Sequence, residues 1–254
     1  MERPLRVTCL RARTSDRTDG AGAGAEALAR RLGGRIVGEP APGRPRGWEE
    51  DLRDSRPVLE AAAAEISAAL DQGELPLLTA SDCTICIATL PTVARRVPGV
   101  RFAWLDAHGD FNTPETTPSG FLGGMCLGAA CGRWDAGWPD TIAPAAVSFV
   151  GVRDLDAGER AEVERAGVAT GVPDEGPVYV HFDADALDPS VLPAQFPVPG
   201  GMNAEQVHEI LAELVSAGRL VGIEVTALED PEYAELVAGI LDPVLSGRSS
   251  PGPS

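Results

Sequence analysis

Short apolar runs alternate along this chain with longer segments whose apolar residues recur every third or fourth position. The first rhythm predicts strands and the second helices. Strands are expected over residues 5–10, 35–38 (an edge), 75–80, 101–107, 145–152, 178–183 and 220–226. Helices are expected over 21–32, stopped by Gly33-Gly34, and over 58–70, 84–96, 125–131, 156–166 and 231–245. Another runs to Ser216 from Asn203, whose side chain suits an N-cap. Pro91 should kink or split the helix it falls in. Segments 39–54, 111–124 and 186–201 read as loops, and long loops inside compact domains usually carry function. Strands alternating with helices imply an α/β fold on a mostly parallel sheet covered on both faces. Ligands in such folds bind beyond the carboxyl ends of the strands.

With 254 residues, 44% of them hydrophobic, the chain has material for one large core. A single domain over 1–246 is expected, with 247–254 as a disordered tail. All basic residues are arginine, and the formal net charge is -17 at pH 7. That balance argues against nucleic acid and anionic membranes as partners. No apolar run is long enough to span a bilayer, and Met1 leads into the first strand without a signal-peptide core. The five cysteines have no framework spacing and read as reduced thiols, so a cytoplasmic location is expected. Cys83 and Cys86 form a C-x-x-C, but no second pair completes a zinc site.

The chemistry concentrates at two strand ends. The stretch Trp104-Leu105-Asp106-Ala107-His108-Gly109-Asp110 sets metal-type ligands at every second position. Alternate residues of an extended segment face one side, so Asp106, His108 and Asp110 can converge if the path stays extended beyond Ala107. The second cluster, His181-Phe182-Asp183-Ala184-Asp185, also closes an apolar strand. Carboxylates packed this densely repel unless a cation lies between them. Oxygen ligands with one imidazole suit hard-to-borderline divalent ions, manganese first.

Asp-Ala-His-Gly-Asp followed by Phe-Asn-Thr-Pro, and Phe-Asp-Ala-Asp-Ala-Leu-Asp-Pro followed by Pro-Val-Pro-Gly-Gly, resemble the two main metal motifs of the arginase (ureohydrolase) family. The resemblance implies a three-layer α/β/α domain on a parallel sheet, two Mn(2+) ions per subunit, a small amino-acid substrate and a homo-oligomer. It further implies that Asp106 and Asp183 bridge the ions, that Asp110 binds the first, and that His108 and Asp185 bind the second. Asp110 and Asp183 count among the catalytic residues as well. Asn112, Thr117 and Ser119 match the positions that hold the substrate α-carboxylate, and Asp156 and Glu159 those that hold the α-amino group. The alternative is that Asp156 serves only to cap its helix.

Three departures stand beside these matches. Cys83 stands where the family supplies a further histidine, so the first ion would take a soft thiolate ligand. Gly123 stands where arginases carry a histidine. Ala227 falls where they have a glutamate that grips the guanidinium; Glu224 matches a different acidic position of that strand. Less cation recognition and a softer metal site suit a head group less basic than guanidinium. A cysteine at this position also resembles the branch of the family that acts on hydroxyarginine. The expected reaction is hydrolysis of Nω-hydroxy-L-arginine to L-ornithine and hydroxyurea. The alternatives are an ordinary arginase, a ureohydrolase for another guanidino acid, a non-catalytic metal-binding member, and a cysteine nucleophile at Cys83 with His108 as base. His181 is expected in a supporting or core role, and His208 as a partly exposed helical residue.

Overall fold

The computed structural model describes residues 3–246, so the tail expected over 247–254 lies outside the described residues. Its centre is an eight-stranded sheet: β1 (Leu5–Leu10), β2 (Arg35–Val37), β3 (Leu75–Ala80), β4 (Arg101–Leu105), β5 (Val147–Val150), β6 (Ala169–Thr170), β7 (Val178–Asp183) and β8 (Leu220–Thr226). The order across the sheet is β2-β1-β3-β8-β7-β4-β5-β6, and every pairing is parallel. The helices are α1 (Gly20–Arg31), α2 (Trp48–Asp71), α3 (Cys86–Arg96), α4 (Cys126–Ala130), α5 (Ala157–Ala166), α6 (Ala204–Ser216), α7 (Ala234–Ile240) and α8 (Asp242–Ser246).

Strand periodicity sorts the core into two layers. On β4, Phe102 and Trp104 pack with α2 and α3, whereas Ala103 and Leu105 pack with α1, α6 and α7 on the other face. Helices on both faces make the expected three-layer α/β/α architecture. Phe102, Trp104 and Tyr179 are almost wholly buried, a gain of about 2–3 kcal/mol each from burial.

Some expectations need correction. Segment 39–54 is not a loop throughout, because α2 begins at Trp48, ahead of the expected start at 58. Glu49, Glu50 and Asp51 occupy its first turn, where the helix dipole favours acid. Trp48 and Leu52 pack on the core, and buried Asp51 pairs with Arg13 at 2.7 Å. Pro57, which resembles a start signal, lies inside the helix. Pro91 does not split α3, which is continuous through it after a 3-10 turn at Cys83–Ile85. The helix expected over 231–245 is a 3-10 turn, Pro231–Tyr233, and then α7 and α8. Pro243 has no N–H and crowds the carbonyl of Gly239, which breaks the helix at Leu241. The two exposed residues of β6 carry no apolar signature, and the periodicity does not predict them. No described helix is long and apolar enough to cross a membrane.

One consequence of the strand order positions the site. β3, β8, β7 and β4 are neighbours, so their carboxyl ends deliver Cys83, Thr226, Asp183 and Asp106 to one edge.

Candidate metal centre and substrate pocket

The turn after β3 aims Cys83 inward. Asp82 accepts from Thr84 N at 2.7 Å and from Ser15 N and Oγ at 2.9 and 2.5 Å, which fixes the start of the 3-10 turn. Cys83 Sγ then lies 2.8 Å from Asp183 Oδ2, 3.2 Å from Thr226 Oγ1 and 3.3 Å from His181 Nε2. After β4 the chain stays open enough for His108 to bridge to Asp154 of the next strand's loop. His108 N donates to Asp106 Oδ1 at 2.7 Å, and His108 Nδ1 lies 3.0 Å from Asp185 Oδ2. Asp183 Oδ1 accepts from Asp185 N at 2.7 Å, and Asp185 Oδ1 from Ala107 N at 3.1 Å. Asp110 adopts a left-handed φ of 48°, a conformation that aspartate tolerates better than most residues, and lies buried near Cys126.

These side chains form two overlapping ligand groups. Cys83, Asp106, His181 and Asp183 make one; Asp106, His108 and Asp185 make the other; ligand atoms within each lie within 4.8 Å of one another. Asp106 belongs to both. Asp110 falls in neither group but lines the same cavity. His181, expected in a support role, is fully buried, stacks on Trp104 at 3.6 Å and gives Nδ1 to Glu224 at 2.7 Å. Glu224 also accepts from Tyr179 at 2.9 Å and so points away from that cavity.

Electrostatics test whether cations fit. Burial first, and then the neighbouring Asp106 and Asp185 carboxylates, push Asp110 and Asp183 well above the ordinary carboxyl range. Asp106 rises to about 6 through burial and the charge of Asp185. Burial disfavours the His108 cation, yet hydrogen bonds to Asp106 and Asp185 hold it up to about 12. Asp106 Oδ2 is buried without a hydrogen-bond partner. An orphaned carboxylate oxygen amid repelling carboxylates, with nitrogen and sulfur donors alongside, fits divalent cations. The cysteine-nucleophile reading fares badly: burial and then Asp183 raise the Cys83 thiol well above its ordinary value, and its imidazole neighbour is His181, not His108.

Beyond the cluster an outer cavity of about 420 Å³ is lined by Asn112, Ser119, Asp156 and Glu159. Asn112 Nδ2 donates to Asp156 Oδ2 at 3.0 Å. Glu159 accepts from Phe111 N at 2.8 Å and Asp156 N at 3.1 Å, so it ties α5 to the loop after β4. Thr117 does not line the cavity; its hydroxyl accepts from Gly120 N at 3.1 Å. His208 is half-buried, with Nδ1 near Gly239 O. Sequence reasoning missed Phe121, Phe196 and Glu229, which also line the inner cavity. Ala227 bends the chain there with a left-handed φ of 57°. Glu229 then returns to the cavity, accepting from Thr18 Oγ1 at 2.8 and 3.1 Å. Only an extra acid two residues beyond Ala227 hinted at this.

An open parallel sheet with a buried carboxylate, imidazole and thiol cluster beyond four adjacent strand ends defines a class: α/β proteins built around a site suited to two metal ions. The sequence profile of the arginase family matches residues 48–175 and 168–236, and the chain belongs to that family. It is 39% identical over 244 residues to the N(omega)-hydroxy-L-arginine amidinohydrolase of Streptomyces lavendulae, covering 89% of each chain. It is 36% identical over 197 residues to the arginase of Bacillus caldovelox, covering 64% of this chain and 66% of that one. The solved structure of the Bacillus caldovelox arginase shares the fold, with a TM-score of 0.80 at 24% identity over 97% of this chain and 99% of that chain. The protein is an arginase-family hydrolase, a ureohydrolase.

Proposed function

We propose that this ureohydrolase cleaves Nω-hydroxy-L-arginine with water to L-ornithine and hydroxyurea. The observation that carries the reading is a cavity with two unlike ends. The outer end offers Asn112, Ser119 and Asp156, donors and an acceptor suited to a zwitterionic amino acid. The inner end offers Glu229 in place of an acid at Ala227, set back against Thr18. A carboxylate there can accept from an N-hydroxyl, and burial raises the pKa of Glu229. The 39% identity to a hydroxyarginine amidinohydrolase over most of both chains supports the same choice.

Cys83, Asp106, Asp110 and Asp183 would hold a first Mn(2+), and Asp106, Asp183, His108 and Asp185 a second. When bound, such a pair supplies Lewis acidity and lowers the pKa of water. The chain's own residues do the rest. Asn112 and Ser119 receive the α-carboxylate, Asp156 the α-amino group, and Glu159 stiffens both by joining their segments. Asp110, whose Oδ2 has only the weak donor Cys126 at 3.7 Å, is free to take the proton of the attacking water and return it to the departing ornithine nitrogen. Asp183 fixes Asp185 by accepting from its amide, and before a cation binds it also accepts from the Cys83 thiol.

The test is ornithine release from Nω-hydroxy-L-arginine and from L-arginine, after manganese loading and after chelation. Chelator-sensitive turnover that favours the hydroxylated substrate supports the proposal. Equal or faster turnover of L-arginine makes the protein an ordinary arginase, and no ornithine from either sinks both readings.

A further inference from the structure

Two aromatic rings divide the inner cavity from the outer. Phe121 and Phe196 line both, with ring centroids 5.5 Å apart. Phe196 is 40% exposed, the one exposed large hydrophobic side chain among the described residues. It stands edge-on to His108 at 6.3 Å. An apolar ring left open at the mouth of an acidic site loses favourable burial unless something apolar covers it.

Both rings are held. The guanidinium of Arg17 lies over Phe121 at 4.8 Å from the centroid. Phe196 rides on the loop after β7, which Arg153 staples by donating to Val198 O at 2.7 Å, and Asp188 by accepting from Gly200 N at 2.8 Å. Gly123 seats the other ring. A Cβ there would meet three ring atoms of Phe121 at 2.5, 2.7 and 3.3 Å, and its φ is not in the left-handed region, so the demand for glycine is one of space alone.

We propose that Phe121 and Phe196 form an aromatic clamp on the methylene linker of the substrate, and that Gly123 is glycine in order to seat Phe121. The inference rests on the amino-acid substrate proposed above. A molecule with its zwitterionic end among Asn112, Ser119 and Asp156 and its head at the carboxylate cluster must run past both rings. The clamp would then be a specificity-determining element that measures linker length, covers the open ring and keeps water from the head group.

The test uses the manganese-loaded full chain and calorimetric titration with L-ornithine, L-lysine and L-2,4-diaminobutyrate, which differ by one methylene each. Wild type should prefer ornithine. Phe121→Ala should weaken ornithine about tenfold, the loss of roughly one aromatic contact with its buried area, and should flatten the length preference. Gly123→Ala should reproduce that loss by displacing the ring, yet add nothing in the Phe121→Ala background; such non-additivity marks a shared contact. Phe121→Leu, which keeps an apolar filler, should restore part of the affinity and guards against a variant that merely misfolds. Manganese content should be unchanged throughout. Additive losses, an unaltered length preference in Phe121→Ala, or no ornithine affinity in wild type would each overturn the clamp. Retained length discrimination without any hydrolysis would sink the proposed reaction while supporting the clamp.

Discussion

Replacing Asp106 with asparagine should stabilise the metal-free protein and abolish its response to metal. In the cation-free fold Asp106 is buried beside Asp185, and its carboxyl is lifted from 3.8 to about 6. A raised acid pKa means that the folded state holds the proton more tightly than the unfolded chain. The stability this supplies is fully present below 3.8 and is lost as pH rises through about 6. At pH 8 the deficit is on the order of 3 kcal/mol. The Asp106→Asn substitution removes the charge but keeps an oxygen for the amide of His108, now held at 2.7 Å. In EDTA at pH 8 the variant should therefore melt about 6–12 °C above wild type, and near pH 4 the two should converge. Because Asp106 is the carboxylate shared by both ligand groups, manganese should raise the wild-type Tm and leave the variant nearly unmoved. Scanning calorimetry in EDTA and in manganese at both pH values checks this. A variant no more stable than wild type in EDTA at pH 8, or one that manganese stabilises equally, would refute the reasoning.

Four further outcomes follow from other parts of the site. Cys83→His should raise the manganese-to-cadmium ratio retained after dialysis against both ions several-fold, since thiolate favours the softer ion; an unchanged ratio would remove Cys83 from the ligand set. Glu224→Ala leaves His181 Nδ1 and Tyr179 OH buried without partners and should cost roughly 3 kcal/mol in urea unfolding; a cost below about 1 kcal/mol would contradict the network. Glu229→Ala should reduce kcat/KM for Nω-hydroxy-L-arginine about tenfold more than for L-arginine, one charge-assisted hydrogen bond's worth; parallel losses would place Glu229 outside recognition. Asp16, lifted to about 7 by burial and then by Asp82, should make wild type lose stability relative to Asp16→Asn as pH rises from 4 to 8; the opposite slope in paired urea titrations would reverse the assignment.

What could be seen in the sequence depends on how local each feature is. Asp106, His108, Asp183 and Asp185 fall in two contiguous strand ends, where a period of two and mutual repulsion announce a cation site. Strands β3, β7 and β8 were legible to the residue because both faces are buried, so their apolar runs are continuous and sharply bounded. The start of α2 was hidden because Pro57 mimics a first-turn proline while tertiary contacts of Trp48 and Asp51 carry the helix further back. Thr117 matched a motif position, but its side chain folds into its own turn, a choice that no spacing rule encodes. Phe121, Phe196 and Glu229 come from three loops with no shared period, and only the folded chain brings them to one cavity.

The place of β8 has a bearing on how the protein comes into being. The last strand of the sheet to be synthesised is inserted between β3 and β7, near the middle. A nascent chain lacking it has a split sheet with two unpaired inner edges, with Thr226 absent from beside Cys83 and Glu229 absent from the pocket. Such gaps expose backbone donors and acceptors to neighbouring chains. Emergence of β8 from the ribosome, rather than emergence of the ligand motifs, is thus the event that closes the fold. Until then a cation meets only the ligands of β3, β4 and β7, on two half-sheets that nothing yet zips together.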